Sequence, residues 1–91
     1  MLVALMAFDK EGAQDLRQAN RPDHVAYLKA PDSPVAMAGP LLDAEGGMIG
    51  SLIVLDVADM AAARSWAEAD PYAKAGLFEE VRLREWKQVI G

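Results

Sequence analysis

Two stretches of this chain are apolar without alternation: Leu2–Phe8, reading Leu-Val-Ala-Leu-Met-Ala-Phe, and the centre of Met48–Val57. Both are short and bounded by charged or glycine-containing segments, which favours buried strands over helices. A strand with one wet face alternates polar and apolar residues. These do not, so both faces of whatever sheet they form need cover. With 53% hydrophobic residues in 91, the chain is also richer in apolar side chains than a small monomer needs. That excess predicts a partner subunit.

The rest of the pattern orders itself around these strands. Ala13–Ala30 reads as helix, interrupted at Pro22. A proline removes a backbone donor and crowds the preceding turn, but fits a first helical turn. The expectation is a short helical segment, a kink near Asn20-Arg21, and a second helix from Pro22 to about Lys29. Ala30–Pro34 is a turn cluster. Val35–Leu42 is a second strand, placed at an edge by Pro40, and Asp43–Gly47 is a hairpin loop. Met48–Val57 is the third strand. Asp59 caps a helix over Met60–Ala69, and Asp70-Pro71 repeats a helix-start signal for a short turn over Tyr72–Ala75. Val81–Val89 alternates as a fourth strand. The order β-α-β-β-α-β is the ferredoxin-like split βαβ, an α+β fold with an antiparallel four-stranded sheet, in a single domain over residues 1–91. Two helices cover one face of such a sheet. Back-to-back packing in a homodimer would cover the other.

Composition removes several function classes. With 14 acidic against 9 basic side chains, and four of the five arginines in two local pairs, Arg17/Arg21 and Arg82/Arg84, there is no footprint for nucleic acid. No cysteine is present, which excludes disulfides, thiolate catalysis and zinc–thiolate sites. A single histidine leaves no metal-ligand spacing. The apolar N-terminal run is too short for a signal segment or a membrane span, and reads as part of a cytoplasmic protein.

His24 is the only histidine and the only side chain whose ordinary pKa lies near neutrality. Asp70, beside the second proline-marked helix start, is the candidate partner to orient it. Residue types alone leave each open. His24 reads equally as a solvated surface histidine and Asp70 as a plain cap. Arg17 and Arg21, four apart, read as a solvated helix face, with the capacity to steady a carboxylate or phenolate. Gly39 admits a ligand close to backbone or eases packing, and Tyr72 donates to a ligand or packs. Ser51 lies in a strand without a nucleophile elbow, so it is a contact residue and not a nucleophile.

Taken together, Arg21-Pro22-x-His24-x-x-Tyr27-Leu28, Ala38-Gly39-Pro40-Leu41, Gly50-Ser51, Asp70-Pro71-Tyr72 and Trp86 resemble the YciI-like family over nearly the whole chain. The resemblance implies a ferredoxin-like domain that dimerises into an α+β barrel, and a histidine–aspartate site at His24 and Asp70. It further implies kinship with barrel enzymes acting on small, often aromatic-derived, compounds. The expected chemistry is cofactor-free proton transfer, an elimination or isomerisation. His24 would be general acid or base, Asp70 its orienter, and Arg17, Arg21, Gly39, Ser51 and Tyr72 the substrate contacts. The rival is a non-catalytic dimeric domain that binds a small ligand.

Overall fold

The computed structural model describes residues 1–91. β1 (Leu2–Asp9), α1 (Gln14–Leu28), β2 (Val35–Leu42), β3 (Met48–Asp56), α2 (Met60–Ala69), α3 (Pro71–Lys74) and β4 (Phe78–Trp86) follow one another. The sheet order is β2-β3-β1-β4, with every neighbouring pair antiparallel. β1 and β2 therefore flank β3 rather than each other, which is the split βαβ arrangement. The fold is ferredoxin-like α+β.

Strand register assigns the faces. Val3, Leu5 and Ala7 of β1 share a face with Leu55, Ile53 and Ser51 of β3. That face lies under the helices. Val3, Leu5, Ala7, Ile53 and Leu55 join Ala63 of α2 in the main core, with Leu28, Met60, Trp66, Phe78 and Leu83 packed around it. The opposite face carries Phe8, Met37, Leu52 and Trp86, all more than a third exposed. The lack of alternation in β1 and β3 thus corresponds to one covered apolar face and one open apolar face. The hairpin between β2 and β3 turns at Gly46, whose φ of 84° suits glycine. Asp43 Oδ1 accepts from the Glu45 and Gly47 backbone N–H groups.

Two boundaries differ from the sequence pattern. α1 is one helix with Pro22 inside it, not two segments meeting near Asn20-Arg21. The carbonyl that Pro22 cannot bond belongs to Gln18, and both residues are exposed, so the missing bond falls on the solvent side of the helix. Helical packing of Arg17 and His24 against the same side holds the helix continuous across the proline. β4 starts at Phe78 and stops at Trp86 instead of spanning Val81–Val89. Its ladder partner decides this: Leu2 pairs with Trp86 and Asp9 with Phe78, so β1 offers nothing for Lys87–Val89 to pair with. No helix is long and apolar enough to cross a membrane.

Candidate functional site

α1 buries only two side chains, Arg17 and His24. They are seven residues apart, two helical turns, and so lie on one face. Both are polar, and each is met by a carboxylate from another element.

His24 Nδ1 lies 2.8 Å from Asp70 Oδ1 and 3.0 Å from Oδ2, with both residues buried. Asp70 ends α2 and caps α3; its Oδ1 also accepts from the Tyr72 backbone N–H at 2.9 Å. Pro71 at the first position of α3 sets the backbone there. An ionised carboxylate only accepts hydrogen bonds, so Nδ1 carries the proton donated to Asp70. In the neutral ring that leaves the lone pair on Nε2, which no group of the chain bonds. The Asp–Pro helix start therefore both caps a helix and fixes the histidine tautomer.

Tyr72, fully buried, stacks on His24 with centroids 3.8 Å apart and planes 11° from parallel. Arg17 Cζ lies 4.7 Å from the same ring centroid, and the Phe78 ring meets it edge-on. Burial holds the Tyr72 phenol above its ordinary pKa of 10.0; Asp70 and Asp9 reinforce the shift, and Arg17 and Arg21 oppose it. The group is a neutral donor at physiological pH. Its hydroxyl is the one buried side-chain polar atom without a hydrogen-bond partner. Tyr27, whose pKa is also raised, first by burial and then by Asp70 and Asp32, donates to Trp66 O at 2.7 Å and stacks on Trp66. It ties α1 to α2.

Arg17 is not on a solvated helix face, as its spacing with Arg21 suggested. It is 4% exposed. Nε donates to Asp9 Oδ2 at 2.7 Å, and Nη2 contacts Asp9 Oδ1 at 3.3 Å, Gly50 O at 2.7 Å and Ser51 Oγ at 2.8 Å. Gly50 is required where the strands close up: a Cβ there would sit 2.5 Å from Ala7 O. Nothing local in the sequence marks Asp9, which directly follows the apolar Leu2–Phe8 run. An acid at the end of a buried strand, facing a helix with an arginine in its first turn, was the signal available.

A cavity of about 350 Å³ opens between α1 and the β2–β3 hairpin. Arg17, Arg21, His24, Ser51 and Tyr72 line it together with Ala38–Pro40 of β2 and the apolar residues Val25, Leu28, Val35 and Ile53. Asp70 stands behind His24 and does not line it. A wider cleft of about 740 Å³ adjoins it, sharing Arg17, Arg21, Val25 and Met48. No carboxylate lines either space, although the chain carries a net charge of −5. No group of three or more histidine, cysteine or acidic residues is placed to hold a metal ion.

A ferredoxin-like domain with a buried histidine–aspartate pair beside a basic-lined cavity is a candidate small-molecule catalyst. The chain belongs to the YCII-related domain family, whose pattern matches residues 1–87. Protein YciI of Escherichia coli is 32% identical over 98 residues, covering 99% of this chain and all of that one; the protein of the same name from Shigella flexneri matches equally. Among solved structures, the chain is similar to the 5-chloro-2-hydroxyhydroquinone dehydrochlorinase TftG from Burkholderia phenoliruptrix, seen in complex with 2,5-dihydroxybenzoquinone. It is 30% identical to that protein with a TM-score of 0.88, over 96% of this chain and 94% of that one.

Proposed function

We propose that this protein catalyses cofactor-free proton transfer on a small, oxygenated, ring-derived anion, in an elimination or isomerisation. The carrying observation is the division of labour in His24. One ring nitrogen is tied to a buried carboxylate, and the other, unbonded, belongs to a side chain lining the cavity. In an elimination of HX, Nε2 takes the proton, the released electron pair forms the new double bond, and X leaves with the pair from its own bond. No electron carrier is needed for this balance. Asp70 keeps Nδ1 protonated before the transfer and stabilises the imidazolium after it. The similarity to a dehydrochlorinase supports elimination in particular.

The lining favours a negatively charged ligand. Arg17, Arg21, Lys29 and His24 face the space without a carboxylate among them. Ser51 and the backbone at Gly39 shape the wall, and the buried Tyr72 ring, stacked on His24, backs it. Release of chloride from 5-chloro-2-hydroxyhydroquinone by the wild type, His24→Ala and Asp70→Asn tests the reading. Losses of about 10²–10⁴-fold in kcat, with circular dichroism unchanged, are expected for a general acid–base pair. Folded variants that release chloride at the wild-type rate would refute it.

We infer further that a second copy covers the open sheet face, as Phe8, Met37, Leu52 and Trp86 form an apolar surface on it. Sedimentation should give a dimer for the wild type and a monomer for Leu52→Asp. A wild type that sediments as a monomer contradicts the assembly.

A further inference from the structure

His24–Asp70 is one of two buried pairs in which a carboxylate meets a basic side chain. The other is Asp9–Arg17, with side chains 6% and 5% exposed. An arginine in the first turns of a surface helix can reach water at little cost, because its long stem lets the guanidinium snorkel. Here it is turned inward instead, where a charge is costly unless every contact is made. Asp9 takes Nε and part of Nη2, while Gly50 O and Ser51 Oγ take the rest of Nη2. The Tyr72 ring lies under the guanidinium carbon. Nη1 bonds nothing in the chain, and Arg17 lines both the His24 cavity and the adjoining cleft. Asp9 lines neither, so any effect it has on a ligand there passes through Arg17.

We propose that Asp9 is a positioning residue: with Ser51 it fixes Arg17 so that Nη1 holds an anionic oxygen of the ligand in the His24 cavity. This rests on the reading of that cavity as the ligand site. The planar guanidinium presents its donors in a rigid fork, so anchoring two nitrogens on β1 and β3 sets the direction of the third. Arg21, which makes no ion pair, lacks this anchoring and contributes charge at the mouth. The fixed pair of groups, Nη1 and His24 Nε2, selects ligands that carry an anionic oxygen close to the proton to be moved.

The probe is 2,5-dihydroxybenzoquinone, an acidic quinone that is anionic at neutral pH, titrated calorimetrically into the full chain. Asp9→Asn and Arg17→Lys should each raise Kd about tenfold or more, the loss of one charge-assisted bond. Asp9→Asn should add little in the Arg17→Lys background, because both act on one contact. In Asp9→Asn the Arg17 Nε–H should exchange with solvent about tenfold faster or more, having lost its charged acceptor, and Asp9→Glu should recover part of both properties. If Asp9→Asn does not fold, Asp9→Glu and Ser51→Ala carry the same comparison, each with weaker binding that vanishes in the Arg17→Lys background. Three results would overturn the proposal: wild-type affinity in the folded Asp9 and Ser51 variants, an undiminished Asp9 effect on top of Arg17→Lys, or no binding of the quinone by the wild type. The catalytic reading fails separately, through unchanged chloride release in the folded His24 and Asp70 variants, whatever the Asp9 variants do to affinity.

Discussion

α1 and α2 lie on the same face of the same sheet, and they are built for different work. α2 starts at an Asp59 cap that accepts from the Ala62 backbone N–H. It buries Ala63 and lays Met60, Trp66 and Ala67 against the core. Its contribution is apolar area. α1 buries Arg17 and His24, and of its apolar residues only Leu28 packs against that core. Between α1 and the β2–β3 hairpin there is a cavity instead of a packed interface. An apolar helix face is satisfied by any well-shaped apolar neighbour. A buried arginine and histidine are satisfied only by particular acceptors, here Asp9 and Asp70 on β1 and at the α2–α3 junction. One half of the domain supplies stability that the other spends on holding polar groups in fixed positions.

Several changes break or sharpen that contrast. Leu55→Ala, in the α2-side core, should cost about 2–5 kcal/mol of unfolding free energy, read from urea denaturation. A loss well below that range would mean that the core does not carry the stability assigned to it. Pro22→Ala should act in the opposite direction. It restores the helical bond to the Gln18 carbonyl and removes a clash, a gain of about 2 kcal/mol once the greater freedom of the unfolded chain is set against it. A loss of stability would show that α1 requires the proline. Tyr72→Phe should be the smallest of the three, a gain of about 1 kcal/mol near neutral pH, since it deletes a buried hydroxyl with no partner.

The same variant has a pH signature. The folded-state pKa of Tyr72 is raised above 10.0, so below that pH the phenol is protonated in both states and its contribution is intact. Above it the unfolded chain releases the proton first, and stability falls as pH rises through the folded value. The melting temperature of the wild type should drop above pH 10 more steeply than that of Tyr72→Phe. Parallel alkaline losses would contradict the shift. Tyr27, raised for the same leading reason, contributes to the loss that remains in the variant.

The α2 half was the more legible in sequence. Asp59, the alanine run and Trp66 predict Met60–Ala69, which is the helix observed. Local capping and apolar periodicity suffice there, because packing is the whole function of the element. On α1 the same rules mislead. Pro22 reads as a helix start, since nothing local reveals that contacts from β1, β3 and α3 hold the helix through it. Arg17 reads as solvated, since charge on a helix predicts exposure unless its acceptor is known, and Asp9 lies eight residues away on another element. The fourth strand departs from its own pattern for a related reason: its end is set by the length of β1, not by its alternation. His24 and Asp70 were visible as a lone histidine and an Asp–Pro start. Their meeting at 2.8 Å is a tertiary fact that the resemblance to a family anticipated and local pattern did not.

The ring nitrogens of His24 offer the most direct test, because the account assigns them different tasks. In ¹⁵N spectra of the neutral ring, Nδ1 should appear as the protonated nitrogen and Nε2 as the free base. Adding 2,5-dihydroxybenzoquinone to saturation should move the Nε2 resonance while Nδ1 stays bonded to Asp70. An Nε2 signal that ignores the ligand, or a proton found on Nε2 in the free neutral ring, would contradict the assignment of His24 as the base that faces the cavity.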